Sequence, residues 1–233
     1  MGIKFMLNTI DKNAKNSELA SVGLFWSFVL LAIAVYFWES PFLLPIKYLT
    51  VFFHELSHGI SAVLTGGEIA KIELSFNQGG LCYTAGGIRW IVLSSGYLGS
   101  LLWGCGILIA NVRYKQEKLL MNLLSLIFII SIILWVRNLE GIVICSILAL
   151  ITYLIPKYAN RYVCDVILNF IALSSCFYAI IDIKGDLIDR TVGVSDAARL
   201  GEMFLLPGWL IGIVWLVMAL VITFKTVSYS LKR

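Results

Sequence analysis

The chain predicts an all-α polytopic membrane bundle of about seven transmembrane helices, with one small β-hairpin between the second and the third. Three observations carry that expectation. Of 233 residues, 60% are hydrophobic and only 14% are charged, and the mean hydropathy is +0.90, outside the range of water-soluble domains. The apolar residues fall into long runs parted by short polar links, each run near the roughly 20 residues a helix needs to cross hydrocarbon. One stretch, between the second and third runs, changes instead to a two-residue alternation.

The elements follow in order within one domain, residues 1–233. Residues 1–18 form a polar lead with Lys4, Lys12 and Lys15. No cleavable leader is expected, because the first apolar run, 19–38, is long enough to span. Glu39-Ser40-Pro41 closes that run behind Trp38, placed as an interfacial anchor. The second helix starts near Pro41 or Pro45 and stops at Gly66-Gly67. Within residues 68–87, apolar and polar residues alternate over 71–76, Asn77-Gln78-Gly79-Gly80 signals a turn, and alternation resumes over 81–84, the pattern of a hairpin. The third span, 88–111, carries Ser95, Gly96, Gly99, Ser100 and Gly104 at four-residue steps. Such a stripe lets backbones approach closely, which places this helix against the second.

Runs 119–136 and 142–155 are almost free of polar residues and read as scaffold. The sixth span covers 162–183, a polar connector 184–206, and the last span 207–224. Basic residues flank the apolar runs, as at Arg113, Lys115 and Lys118, so they point to lipid headgroups and not to nucleic acid. They divide evenly between the two sides and leave orientation open. The five cysteines are scattered, mostly in apolar runs, without paired ligand spacing, and read as packing residues.

The second run contains His54-Glu55-Leu56-Ser57-His58. On a helix, two histidines four apart project from one face and can share one zinc ion. Glu55 lies about 100° further round. Zinc lowers the pKa of a water it holds to about 7, and a neighbouring carboxylate can take the proton. These are the chain's only histidines, and ionisable groups inside a bilayer are costly and functional by default. At about 1.5 Å per residue they lie about 12 to 14 Å from either helix end. Ser57, Ser61 and Thr65 continue a polar stripe that either carries water to the site or bonds to its own backbone carbonyls.

Two histidines and a water leave a tetrahedral zinc one ligand short. With no third histidine and no cysteine pattern, a carboxylate must complete it. Asp182, after an unbroken apolar run, is the first candidate, and Asp186, four residues on, is the alternative; one could ligate while the other supports a histidine. Asp189 and Asp196 rank lower. Asp196 has a structural reading, with Ser195-Asp196 capping the turn at Ala197-Ala198-Arg199-Leu200.

The motif within a spanning segment, the Gly66-Gly67 behind it, the glycine-rich hairpin to Gly86-Gly87, Gly96-Tyr97-Leu98-Gly99, and the Asp182, Asp186 and Ser195-Asp196-Ala197 region resemble the site-2 protease family of intramembrane zinc metalloproteases, specifically its smaller B-type branch. The resemblance implies a membrane-embedded endopeptidase in which His54 and His58 bind Zn2+, Glu55 is the base, and the hairpin helps present an unwound substrate helix. Better-known members carry an Asn-x-x-Pro stretch leading to an Asp-Gly ligand. This chain has no Asp-Gly, so the resemblance does not name the third ligand.

The expected function is a zinc-dependent endopeptidase cleaving transmembrane or membrane-proximal peptides, in a multi-pass integral membrane protein. An edge of the hairpin would hold the peptide by strand addition, with Asn77, Gly79 and Gly80 as substrate-binding residues. Expected partners are a membrane-protein or peptide substrate, the lipid bilayer and a regulatory membrane partner. Two rivals stand beside it. A non-catalytic zinc module that binds membrane partners has no use for Glu55. An ion or proton relay would need ionisable groups on several spans, which the fourth and fifth lack.

Overall fold

In the computed structural model, which describes residues 22, 24–37, 40–184 and 195–231, the chain begins with α1 (Leu24–Tyr36). A 3-10 turn (Pro41–Leu43) leads into α2 (Leu44–Leu64), and a two-stranded hairpin follows, β1 (Glu68–Leu74) and β2 (Gly80–Ala85). Then come α3 (Arg89–Tyr114), α4 (Glu117–Leu134), α5 (Leu139–Tyr158), α6 (Arg161–Lys184), α7 (Asp196–Phe204) and α8 (Gly208–Leu231). Ser40 caps the 3-10 turn by accepting from the Phe42 N–H, and Pro45 sits in the first turn of α2, where its missing N–H costs nothing.

Five helices, α3, α4, α5, α6 and α8, are long and apolar enough to cross a membrane, which supports an integral membrane protein. The seven spans expected from sequence are therefore five by length and composition among the described residues. The two that differ have identifiable reasons. α1 is shorter over its described residues, and α2 is interrupted by Lys47, His54, Glu55 and His58.

α2 sits at the centre of the bundle with most of its residues buried. Phe52 and Phe53 are fully buried. Phe52 packs on Phe128 of α4 at 4.7 Å between ring centroids, and Phe53 stacks on Trp103 of α3 at 5.1 Å. The small-residue stripe of α3 meets α2, as expected. A Cβ on Gly99 would strike the Ser57 side chain. The same stripe serves a second partner, since a Cβ on Gly104 would lie 2.5 Å from the Ala172 carbonyl of α6. The polar stripe of α2 bonds mainly to backbone: Ser57 Oγ donates to the Phe53 carbonyl at 2.6 Å, Ser61 Oγ to His58 at 2.9 Å and Thr65 Oγ1 to Ser61 at 2.7 Å.

The hairpin forms where the alternation placed it. β1 and β2 are antiparallel, with a register shift between Ile69 and Lys71. Gln78 takes a left-handed φ of 64° at the tip, and the Ser75 N–H donates to the Gly79 carbonyl at 2.8 Å. Ile69 and Cys82 pack on Gly59 of α2, where a Cβ would lie 2.5 Å from Ile69 Cδ1. The far edge of β1 is occupied. The Ile72 N–H donates to the Trp135 carbonyl at 2.9 Å, the Arg137 N–H donates to the Ile72 carbonyl at 3.2 Å, and Asn138 brackets Leu74 by accepting from its N–H and donating to its carbonyl. The α4–α5 link thus covers that edge through one isolated parallel bridge, Ile72 to Val136, and among the described residues β2 keeps an edge with no strand on it.

Candidate active site

The spacing of His54 and His58 does what helical geometry requires: both imidazoles leave α2 on one side, their centroids 4.8 Å apart. The third group comes from α7. Asp196 Oδ2 lies 3.2 Å from His54 Nε2 and 3.0 Å from His58 Nε2. Ser195 caps α7 by accepting from the Ala198 N–H at 3.2 Å. Ala197 and Leu200, on the same side of α7 as Asp196, pack against Leu93 and Tyr97 of α3 and Trp215 of α8. The cap and the apolar face together fix where Asp196 points.

His58 has a defined tautomer. Its Nδ1 lies 2.7 Å from the Val92 carbonyl, which can only accept, so Nδ1 carries the proton and Nε2 presents its lone pair to Asp196. The His58 Nε2 lone pair therefore faces the Asp196 carboxylate oxygen at 3.0 Å, with His54 Nε2 3.2 Å from the same oxygen, an arrangement that suits a cation between them. Two zinc ligands at tetrahedral angles lie about 3.3 Å apart, close to the separations seen. Space is reserved as well. A Cβ on Gly96 of α3 would come within 2.5 Å of His58 Nε2 and closer still to His54 Nε2. On these three counts the residues fit a metal, and His54, His58 and Asp196 form the one group among the described residues that could hold one.

Glu55 shares a cavity of about 250 Å³ with both histidines and Asp196. Its carboxylate faces the hairpin, where a Cβ on Gly80 would lie 2.6 Å from Glu55 Cγ and 2.9 Å from Oε1, and the Cys82 backbone amide lies against it. His54 is braced from α3 by the Tyr97 ring, edge-on at 4.9 Å between centroids.

The sequence candidates distribute as follows. His54, Glu55 and His58 line the cavity, as do Gly79 and Gly80; Asn77 is not among its lining residues, and Gln78 is. Asp182 lies on α6, but its side chain, like all of Asp186 and Asp189, lies outside the described residues. Asp196, ranked behind Asp182, is the aspartate that meets the histidines. Tyr178 and Arg199 also line the cavity and carried no sequence signal beyond lying near Asp182 and Asp196.

A comparison with protein-family models matches residues 27–226 to Peptidase M50B-like, a span that includes every residue of this cavity. Searches of curated proteins and of solved structures returned no match.

Proposed function

The chain belongs to the Peptidase M50B-like family, a metallopeptidase family of the site-2 protease type, and from that premise we propose that it is a zinc-dependent intramembrane endopeptidase. The observation that carries the proposal is the meeting of His54, His58 and Asp196, whose ligand atoms all lie within 4.8 Å of one another, beside Glu55 in one cavity. Two imidazoles and a carboxylate with a further position open make the donor set of a catalytic zinc, not of a closed structural one. In this reading the third ligand is Asp196, in place of Asp182 or Asp186.

Bound there, zinc supplies Lewis acidity, polarising the scissile carbonyl and making water a nucleophile near neutral pH. Glu55 takes the proton of the attacking water and returns it to the leaving nitrogen. The Val92 carbonyl keeps His58 in the ligating tautomer, and Tyr97 holds the His54 ring in place.

The substrate is a transmembrane or membrane-proximal peptide, unwound into a strand along the outer edge of β2. Ile72 turns its backbone groups away from β2, toward the α4–α5 link. Its partner Cys82 must therefore turn its own outward on the other side, into the cleft that Gly80, Cys82 and Thr84 line. Strand addition there brings a backbone carbonyl beside Glu55 and the metal.

The test is to reconstitute the zinc-loaded protein in bilayers with transmembrane peptides and to follow cleavage by mass spectrometry. Cleavage by the parent, abolished by chelation and by Glu55→Gln, is expected. Binding of zinc without cleavage of any peptide would contradict the protease reading.

A further inference from the structure

A second cavity, of about 320 Å³, opens beside the first and shares Thr84, Val92, Leu93 and Arg199 with it. It adds Arg89 and Gly86 to that wall. Arg89 is the first residue of α3, and Arg199 lies on α7 one turn beyond Asp196. Neither arginine has an ion pair among the described residues. Two guanidinium groups lining one cavity give it a positive potential that an anion between them would complement. A separate feature points the same way: the N-terminus of α3, at this cavity, has no side-chain cap and no acidic residue in its first turn, so its N–H groups add positive potential where an anion would sit.

We propose that Arg89 and Arg199 form an anion subsite that selects peptides carrying an acidic side chain on the Thr84 side of the bond cleaved. This rests on the protease reading above and names its substrate class. β2 runs from Gly80, over Glu55, to Thr84 at the arginine cavity. A strand laid on its edge advances about 3.3 Å per residue, so the acidic residue stands about two to four residues from the scissile bond. Its carboxylate enters the arginine cavity while the backbone stays paired to β2. A bidentate guanidinium contact distinguishes carboxylate from amide sharply, though both arginines are exposed, which tempers the gain.

The experiment measures binding apart from cleavage. Zinc-loaded full-length Glu55→Gln protein in phosphatidylcholine nanodiscs is titrated with extended fluorescent peptides in which one aspartate is moved residue by residue, each paired with its asparagine twin. The expected result is about three- to tenfold tighter binding of the aspartate peptide, at a narrow set of positions on one side of the centre. That preference should vanish in Arg199→Gln and Arg89→Gln and invert toward a lysine peptide in Arg199→Glu, an inversion that a misfolded variant cannot produce. Equal binding of aspartate and asparagine peptides at every position, or binding of neither, overturns the subsite. So does loss of co-purified anionic lipid in the arginine variants without any change in peptide preference, because the arginines then serve headgroups. Cleavage of the same peptides by the parent is scored separately, so a protease without acidic preference and an acidic-peptide binder without protease activity give different results.

Discussion

Asp196 Oδ2 lies 3.2 Å from His54 Nε2 across 142 residues of chain. That contact makes α2 and α7 parts of one site, and it explains why the short helix between α6 and α8 carries both a cap and an apolar face. Ser195 sets where α7 begins, and Ala197 and Leu200 turn the side of α7 that carries Asp196 toward the bundle.

Glu55→Gln keeps the shape of the side chain and removes its basicity. Zinc content should stay at the parent level, and cleavage should fall by about 10²- to 10⁴-fold, the range for loss of a general base. Metal analysis beside a cleavage assay checks both halves. Parallel loss of zinc would mean that Glu55 is a ligand.

Gly96→Ala places a methyl group against both imidazoles. The helix itself gains slightly from alanine, so a thermal melt in detergent should show α3 intact while zinc affinity drops at least about tenfold, as expected when ligands are displaced. Unchanged affinity would show that the space above Gly96 is not the metal's.

Asn138 accepts from the Leu74 N–H and donates to its carbonyl. Asn138→Ala leaves both groups unpaired, at a cost of about 1 to 3 kcal/mol, felt first in the hairpin. Hydrogen exchange should quicken across β1 and β2 and leave α3 and α6 unaffected. Uniform exchange across the chain would argue that the α4–α5 link does not hold the sheet.

Strand addition has a period-two signature. N-methylation of substrate amides should slow cleavage about fivefold or more at alternate positions only, those that would bond to the outer edge of β2. Loss without alternation would favour a substrate bound as a helix.

The motif half of the candidate site was legible because it is local. His54, Glu55 and His58 lie within one helical turn, and the hairpin announced itself by alternation ending at Asn77-Gln78-Gly79-Gly80. The small-residue stripe of α3 also pointed correctly to α2, since Gly96 and Gly99 lie under His54, His58 and Ser57. The third candidate ligand was not legible in the same way. Asp182 drew attention because it ends an apolar run, while Asp196 looked like part of a cap, and Ser195 does cap α7. Only tertiary packing shows that the residue after the cap faces α2. The bridging of β1 by the α4–α5 link was hidden for the same reason: Ile72 meets Trp135 and Arg137 through backbone atoms, which leave no mark on side-chain pattern. The span count fell short of seven at α2 because the motif that identifies the site also lowers the apolarity of the helix bearing it.

The most direct test is zinc stoichiometry on the purified full-length protein by metal mass spectrometry, comparing the parent with His54→Ala, Asp196→Asn and Asp182→Asn. One zinc per chain in the parent and in Asp182→Asn, with loss in His54→Ala and Asp196→Asn, is the predicted result. Zinc retained in Asp196→Asn, or absent from the parent after reconstitution with metal, would contradict the site.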